Sequence, residues 1–300
     1  MTDNDNSHIA AVLLAALLWG TTGTVAHQAP LGSPQLVVGM STFGFGGLLL
    51  FALDAPAVLS TLRDRSLTPL LVTGAVGVIV YASLYYVAMK LVGVAVGNAL
   101  ALGSGPVWAM AMELLLDRRR LVHGAVAATA LTIAGVLLLG SAARSVAGHD
   151  PLAGVACALV AGGGYGVYAW AGGRLIAAGR PSRPALASIF SLASLMLVPA
   201  MFIIGPGPLW HPRGLVILAY LAVLPMAAAY VLFGYGLRGM AASTATTLAL
   251  AEPVVATLLA TLVLGERLQA RAWAGLAVIA VGLLVAGNIQ RHTAPAAPAK

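Results

Sequence analysis

The chain has 300 residues, of which 60% are hydrophobic and only 8% charged, with a formal net charge of +7. No soluble core absorbs that much apolar surface, so the composition reads as an integral membrane protein, and its apolar runs are helical in length, which excludes a membrane β-barrel. The basic residues sit in short connections, not on a face that could meet nucleic acid, and the single cysteine, Cys157, excludes a disulfide framework and a thiolate metal site.

The N-terminal MTDNDNSH is acidic and lacks the basic start of a signal peptide. Residues 1–8 are therefore expected as a cytoplasmic N-terminus, followed by a retained first span. Ten apolar stretches follow at about 9–27, 35–53, 69–90, 95–116, 121–141, 152–175, 185–204, 214–236, 240–264 and 272–289. They predict an all-α membrane protein of about ten transmembrane helices. Residues 9–141 form a first five-helix repeat, 142–151 a linker, 152–289 a second five-helix repeat, and 290–300 a Pro/Ala-rich tail expected to be disordered and cytoplasmic.

The first span ends in a polar stretch, Trp19-Gly-Thr-Thr-Gly-Thr24, whose threonine hydroxyls can bond back to their own helix. Trp19 is a candidate solute contact. His27 falls at the outer end of the span, either solvated or a proton relay. In the third span Tyr81 and Tyr85 are four apart and face together, with Tyr86 adjacent. Buried hydroxyls need partners, which a neighbouring helix or a solute must supply.

The fourth span puts Gly97, Ala101, Ser104 and Trp108 within about 60° of arc. Two readings stand for this stripe: a close helix contact of the small-xxx-small type, or a cavity wall with Ser104 and Trp108 meeting solute. Glu113, beside Arg118 to Arg120, reads as half of an interfacial ion pair. The sixth span repeats the theme, with Gly162, Gly166, Ala169 and Gly173 on one stripe and Trp170 at its edge. Tyr165 and Tyr168 lie on the other side and read as packing or interfacial residues.

The ninth span carries Thr244, a further candidate contact, and then Ala251-Glu252-Pro253. A carboxylate in mid-membrane costs roughly 2.5–3.5 kcal/mol on insertion scales, and a proline removes one helical N–H. Glu252 shares a stripe with Ala245, Ala249 and Ala256, so it is expected to face protein or a cavity. It can be a neutral structural group, a proton-coupling site, or the partner of a substrate ammonium.

The two halves share a pattern. Residues 94–139 and 241–286 align at an offset of 147, so Gly105-Pro106 falls on Glu252-Pro253, Arg120-Leu121 on Arg267-Leu268, and Gly135 on Gly282. Before a one-residue gap near Gly93 the offset is 148, and Gly77 falls on Pro225. Trp19-Gly20 matches Tyr165-Gly166 more loosely. Five spans per half is an odd number, so the second half is expected to enter the membrane inverted, as in secondary transporters with a site near the midplane.

Trp19-Gly20-Thr21, the run from Tyr86 to Lys90 leading into Gly105-Pro106, and Glu252-Pro253 followed by Leu264-Gly-Glu-Arg-Leu268 resemble the drug/metabolite transporter superfamily in its two-repeat, ten-helix branch. The likeness covers about residues 9–290. The first half departs from the pattern at Asp117-Arg-Arg-Arg120, where the family often has Gly-Glu-Arg. Within the superfamily the aromatic-rich middle spans are most similar to bacterial exporters of aromatic amino acids. The resemblance implies a central cavity lined by spans 1, 3, 4, 6, 8 and 9, with spans 5 and 10 as outer buttresses.

The expected function is therefore export of small zwitterionic or apolar metabolites, amino acids foremost, by alternating access, with Gly77, Pro106, Pro225 and Pro253 as bending points. The partners expected are a small-molecule substrate and the lipid bilayer. No cofactor or metal is expected, and the protein is expected as a monomer in a bacterial-type inner membrane. With the N-terminus inside, inner connections hold 11 Lys and Arg and outer ones 5, which favours cytoplasmic termini. No span interior carries Lys or Arg, which disfavours phosphorylated substrates. The alternatives are a proton-coupled exporter of lipophilic cations and, from another class, a membrane-embedded lipid-modifying enzyme, for which the scattered histidines and acids offer no cluster.

Overall fold

In lipid each segment must satisfy its own N–H and C=O groups, and every long element of this chain is accordingly helical. The computed structural model describes residues 3–26, 28–30, 32–92, 94–118, 122–142, 150–264 and 270–293. His27, Arg119 to Leu121, the linker residues 143–149, the Gly265-Glu266-Arg267-Leu268 stretch and the tail beyond Thr293 lie outside the described residues.

The helices run in chain order as α1 (Asp3–Gly20), α2 (Thr22–Ala26), α3 (Gln35–Leu53), α4 (Ala55–Arg63), α5 (Thr68–Val92), α6 (Val94–Leu115), α7 (His123–Ala142), α8 (Pro151–Ala177), α9 (Ser182–Ile204), α10 (Pro212–Leu221), α11 (Ala229–Gly236), α12 (Ala242–Ala249), α13 (Glu252–Leu264) and α14 (Ala270–Thr293). A widened π-helical stretch, Ala222–Ala228, joins α10 to α11. Eight helical stretches among the described residues are long and apolar enough to cross a membrane. The apolar part of α7, His123–Leu139, is shorter. Helix α6 has 22 residues, but Asn98, Pro106 and Glu113 dilute its apolar character. Two boundaries differ from expectation: α1 already begins at Asp3, inside the expected N-terminal segment, and α14 continues to Thr293, past the expected start of the tail.

Helices equivalent by the internal repeat pack on one another, antiparallel. On α3 and α9, Gly44 meets Val198 and Gly47 meets the carbonyl of Phe190. On α7 and α14, Gly135 meets Ile279, and Gly282 meets Thr132. Two equivalent helices running antiparallel across a shared seam require two halves of opposite orientation. The same close contact is also made twice. A Cβ at Gly20 would lie 2.6 Å from Val255 Cβ and 3.1 Å from the Glu252 carbonyl. A Cβ at Gly166 would lie 2.7 Å from both Trp108 Cβ and the Gly105 carbonyl. Residues 255 and 252 are the repeat mates of 108 and 105 at the offset of 147.

The candidate bending points sit differently. Gly77 packs against the Gly164 carbonyl, and Pro106 lies inside the continuous helix α6. Pro225 lies in the π-helical stretch, where wider turns accommodate its missing N–H. Pro253 is the second residue of α13, a position where proline is tolerated, because the helix stops at Ala249 and restarts at Glu252. Gly135→Val would push a branched side chain into Ile279 N, 2.7 Å from the Cβ position. The expected result is a melting temperature lower by about 5 °C or more, read by thermal unfolding of the purified protein in detergent.

Candidate functional site

Close glycine contacts between α8 and both α5 and α6 leave the larger side chains of these helices to point elsewhere. They converge on a central cavity of about 470 Å3, counting its mouth. Trp19 and Thr22 come from α1 and α2, Thr42 and Phe43 from α3, Tyr81, Tyr85 and Tyr86 from α5, and Leu102 from α6. Tyr165 and Tyr168 from α8, Pro225 and Met226 from the π-helical stretch, Tyr230 from α11 and Glu252 from α13 complete the wall. The rings are in mutual contact: Tyr81 lies 4.9 Å from Tyr85, 5.5 Å from Phe43, 5.8 Å from Tyr165 and 6.0 Å from Tyr168, centroid to centroid.

Polar tips in this wall are mostly occupied. The Trp19 indole N–H donates to the Pro225 carbonyl at 2.7 Å, tying α1 to the other half. The hydroxyls of Tyr168 and Tyr230 bond to each other at 2.7 Å. Tyr85 donates to Asn98 Oδ1. Glu252 is half-buried and makes no hydrogen bond or ion pair among the described residues. Among the described residues it is the one carboxylate on the wall, and no Lys, Arg or His stands with it.

The lining positions lie in the middle parts of their helices, from Trp19 and Thr22 on one side of the midplane to Tyr168 and Tyr230 on the other. Both termini lie at one end, where polar pairs join the halves. His8 Nδ1 lies 2.9 Å from the Tyr235 carbonyl, and Arg183 lies 3.3 Å from Asp54. The Trp170 indole N–H donates to Asp117 Oδ2 at 3.0 Å, and Arg174 stands 3.5 Å from Asp117 Oδ1. Arg180 pairs with Asp64. The hydroxyl and backbone N–H of Ser66 hold the Asp64 carboxyl below its ordinary range, so it stays charged opposite that guanidinium.

Of the residues singled out from sequence, the structure gathers Trp19, Tyr81, Tyr85, Glu252 and Pro225 around the cavity. Ser104 is not there: it is pressed between α6 and α8 against Gly162, and its hydroxyl donates to the Ala101 carbonyl at 3.3 Å. Trp108 packs on Gly163 and Gly166 and is 42% exposed on the outside of the bundle. Trp170 is bonded to Asp117 at the termini end, and Thr244 is half-buried on α12 away from the wall. Three readings of the sequence need correction. Tyr165 and Tyr168 line the cavity, because the glycine stripe beside them is a helix contact and not an opening. Glu113 forms no ion pair among the described residues; it is buried and caps α12, accepting from Ser243 N at 2.9 Å and Ser243 Oγ at 2.6 Å. Helix α3 also contributes to the wall, through Thr42 and Phe43. Nothing in the sequence separates Thr42 from the other membrane hydroxyls or marks Tyr230 within the eighth span.

The EamA-like transporter family matches this chain twice, over residues 6–141 and 152–287. The Bacillus subtilis (strain 168) protein named "Uncharacterized transporter YwfM" is 35% identical over 295 residues, covering 97% of this chain and 98% of its own length. A solved structure described only as "Crystal structure of protein" superposes with a TM-score of 0.78 at 23% identity, covering 96% of this chain and 98% of that one; at this identity the likeness shows the fold alone.

The cavity and the outer face make different chemical environments for a thiol. In a Cys157→Ser background, Thr22→Cys is expected to react with a water-soluble maleimide, because a thiol in a wetted cavity ionises. Trp108→Cys, facing lipid, is expected to stay unlabelled over the same time, and mass spectrometry of the purified variants reads both.

Proposed function

The chain belongs to the EamA-like transporter family, and on that premise we propose that its central cavity carries small ammonium-bearing metabolites, amino acids with apolar or aromatic side chains foremost, out of the cell by alternating access. The observation that carries this reading is an aromatic cavity between two inverted halves, with one carboxylate on its wall among the described residues. Tyrosine and phenylalanine faces accept an apolar or aromatic body by offset stacking. A carboxylate among aromatic faces favours an ammonium group by charge and by cation–π attraction.

The proposed setting is a bacterial-type inner membrane, crossed ten times, with both termini in the cytoplasm and the protein acting as a monomer. The bias of Lys and Arg toward one set of connections supports the orientation. Ties between halves at the termini end, Arg180 with Asp64, Arg183 with Asp54 and Arg174 with Asp117, support a resting state held closed on that side. Gly77, Pro106, Pro225 and Pro253 are proposed as the bending points of the exchange.

A second reading is favoured by one specific feature: among the described residues no cation stands on the wall to meet a substrate carboxylate. A lipophilic cation would leave the occupied site neutral, whereas a zwitterion beside an ionised Glu252 leaves a net negative charge in a low dielectric. Counterflow of labelled amino acids and of tetraphenylphosphonium in proteoliposomes, with and without a pH gradient, separates the two. The expected result is saturable counterflow of L-phenylalanine. Transport of tetraphenylphosphonium alone, coupled to the pH gradient, sinks the amino-acid reading. Glu252→Gln keeps the shape of the side chain and removes its charge, so it is expected to raise the half-saturating L-phenylalanine concentration about tenfold or more, as one charge-assisted hydrogen bond is worth.

A further inference from the structure

Thr42 stands out among the membrane-embedded hydroxyls. A serine or threonine within a helix ordinarily satisfies its hydroxyl by bonding back to the carbonyl one turn earlier. Ser41, one position before it, does so, donating to the Val37 carbonyl at 2.6 Å. Every other buried serine or threonine hydroxyl among the described residues has a partner. Thr42 Oγ1 alone has none, although the side chain is only 2% exposed. The same residue lies on the wall of the central cavity, next to Phe43 and across from the second half of the chain.

An unpaired hydroxyl in a low dielectric costs free energy that a valine of the same shape would not. The cost is recovered when a partner arrives; Oγ1 is closed off in this state, and a turn of the side chain toward the cavity it lines would bring it to one. The hydroxyl's proton is uncommitted, because it does not bond back to its own helix. Thr42 is therefore a free donor, and what it wants is an oxygen acceptor. Among the described residues the wall has no Lys, Arg or His for an acceptor to choose instead.

We infer that Thr42 is a substrate-binding residue whose hydroxyl donates to an oxygen acceptor of the transported molecule, a carboxylate in the case of an amino acid. The inference rests on the function proposed above and deepens it. Glu252 takes the ammonium end, the rings take the apolar body, and Thr42 takes the acidic end. A molecule with an amine and no oxygen acceptor uses only part of the site. Threonine at this position thus biases the cavity toward amino acids over the amines that differ from them by loss of the carboxyl group.

The test compares Thr42→Val and Thr42→Ser with the wild-type protein, using L-phenylalanine and phenethylamine as probes in proteoliposome counterflow, and thermal unfolding without any probe. Thr42→Val is expected to melt at or above the wild-type temperature, since it removes an unpaired polar group. It is expected to raise the half-saturating concentration of L-phenylalanine about tenfold, the worth of a hydrogen bond to a charged group, and to change that of phenethylamine by less than about twofold. Thr42→Ser is expected to restore handling of L-phenylalanine. A melting temperature several degrees lower for Thr42→Val shows a structural partner and overturns the assignment. So does wild-type handling of L-phenylalanine by Thr42→Val, or an equal loss of both probes. Wild-type protein that moves phenethylamine but not L-phenylalanine overturns the carboxylate role of Thr42 while leaving a cation transporter standing. Wild-type protein that moves neither probe defeats the proposed substrate class and this inference together.

Discussion

The backbone contact of α8 with α5 and α6 is the constraint on which the rest of the bundle depends. A Cβ at Gly164 would lie 2.5 Å from the Gly77 carbonyl, and one at Gly77 would lie 2.7 Å from the Gly164 carbonyl. Two residues on, on another face of α8, Gly166 meets the Gly105 carbonyl in the same manner. Lipid offers helices no hydrophobic reason to associate, so the contact draws on dispersion and weak Cα–H hydrogen bonds, which only glycine allows at this range. Its consequence is directional. With the glycine stripe against the neighbours, Tyr81, Tyr165 and Tyr168 turn to the adjacent face and meet at centroid distances of 5.8 Å, 6.0 Å and 5.3 Å. The cavity lies where the glycine seams stop.

The ties at the termini end fit a protein that must also leave this state. Arg180–Asp64 and Arg183–Asp54 are ion pairs on partly exposed groups, each worth on the order of 1 kcal/mol or less in net terms, while Asp117 is a more buried acid shared by Arg174 and Trp170. A few of them can hold the halves together without making separation prohibitive, which is what two states within a few kcal/mol of each other require. Glu113 differs in kind. It is buried, and it holds both the backbone N–H and the hydroxyl of Ser243 at the start of α12. That cap is what lets α12 stand as a helix of 8 residues before the break at Leu250 and Ala251.

The membrane class, the helical spans and the duplication were legible because each is written in composition or in a constant offset. The sequence also marked Trp19, Tyr81, Tyr85 and Glu252, since an aromatic pair on one face and a mid-membrane acid are visible in one dimension. Trp108, Ser104 and Trp170 show where that reasoning fails. Of the two readings open for the small-residue stripes, close helix contact and cavity wall, the structure takes the first: a neighbouring backbone fills the room, as Gly162 and Ser104 show. The rings on the other side of the stripe then face the cavity, so Tyr165 and Tyr168 line it and are not only packing or interfacial residues. Trp170 and Glu113 misled for a second reason. Their partners, Asp117 and Ser243, are 53 and 130 residues away in sequence, and no local spacing reports such a pairing.

The duplication also explains why the site is chemically one-sided. Glu252 and Gly105 are repeat mates, and so, more loosely, are Trp19 and Tyr165. At position 105 the Tyr165 ring fills the place of a side chain: a Cβ there would lie 2.5 Å from Tyr165 Cδ1. In the other half the equivalent aromatic is drawn aside, because the Trp19 indole N–H donates to the Pro225 carbonyl and its ring packs on Tyr230 and Phe233 at 5.0 Å and 5.4 Å. Pro225 lies in the π-helical stretch, whereas its repeat mate Gly77 lies in an ordinary helix pressed against α8. Glycine at one position closes a seam, and proline at its mate widens a turn that anchors an indole. The space that an aromatic ring fills beside Gly105 is left, beside α13, to a carboxylate. Two halves built on one pattern thus give a cavity with a single acid, and the asymmetry traces to the exchange of Gly for Pro and of Gly for Glu at two pairs of equivalent positions.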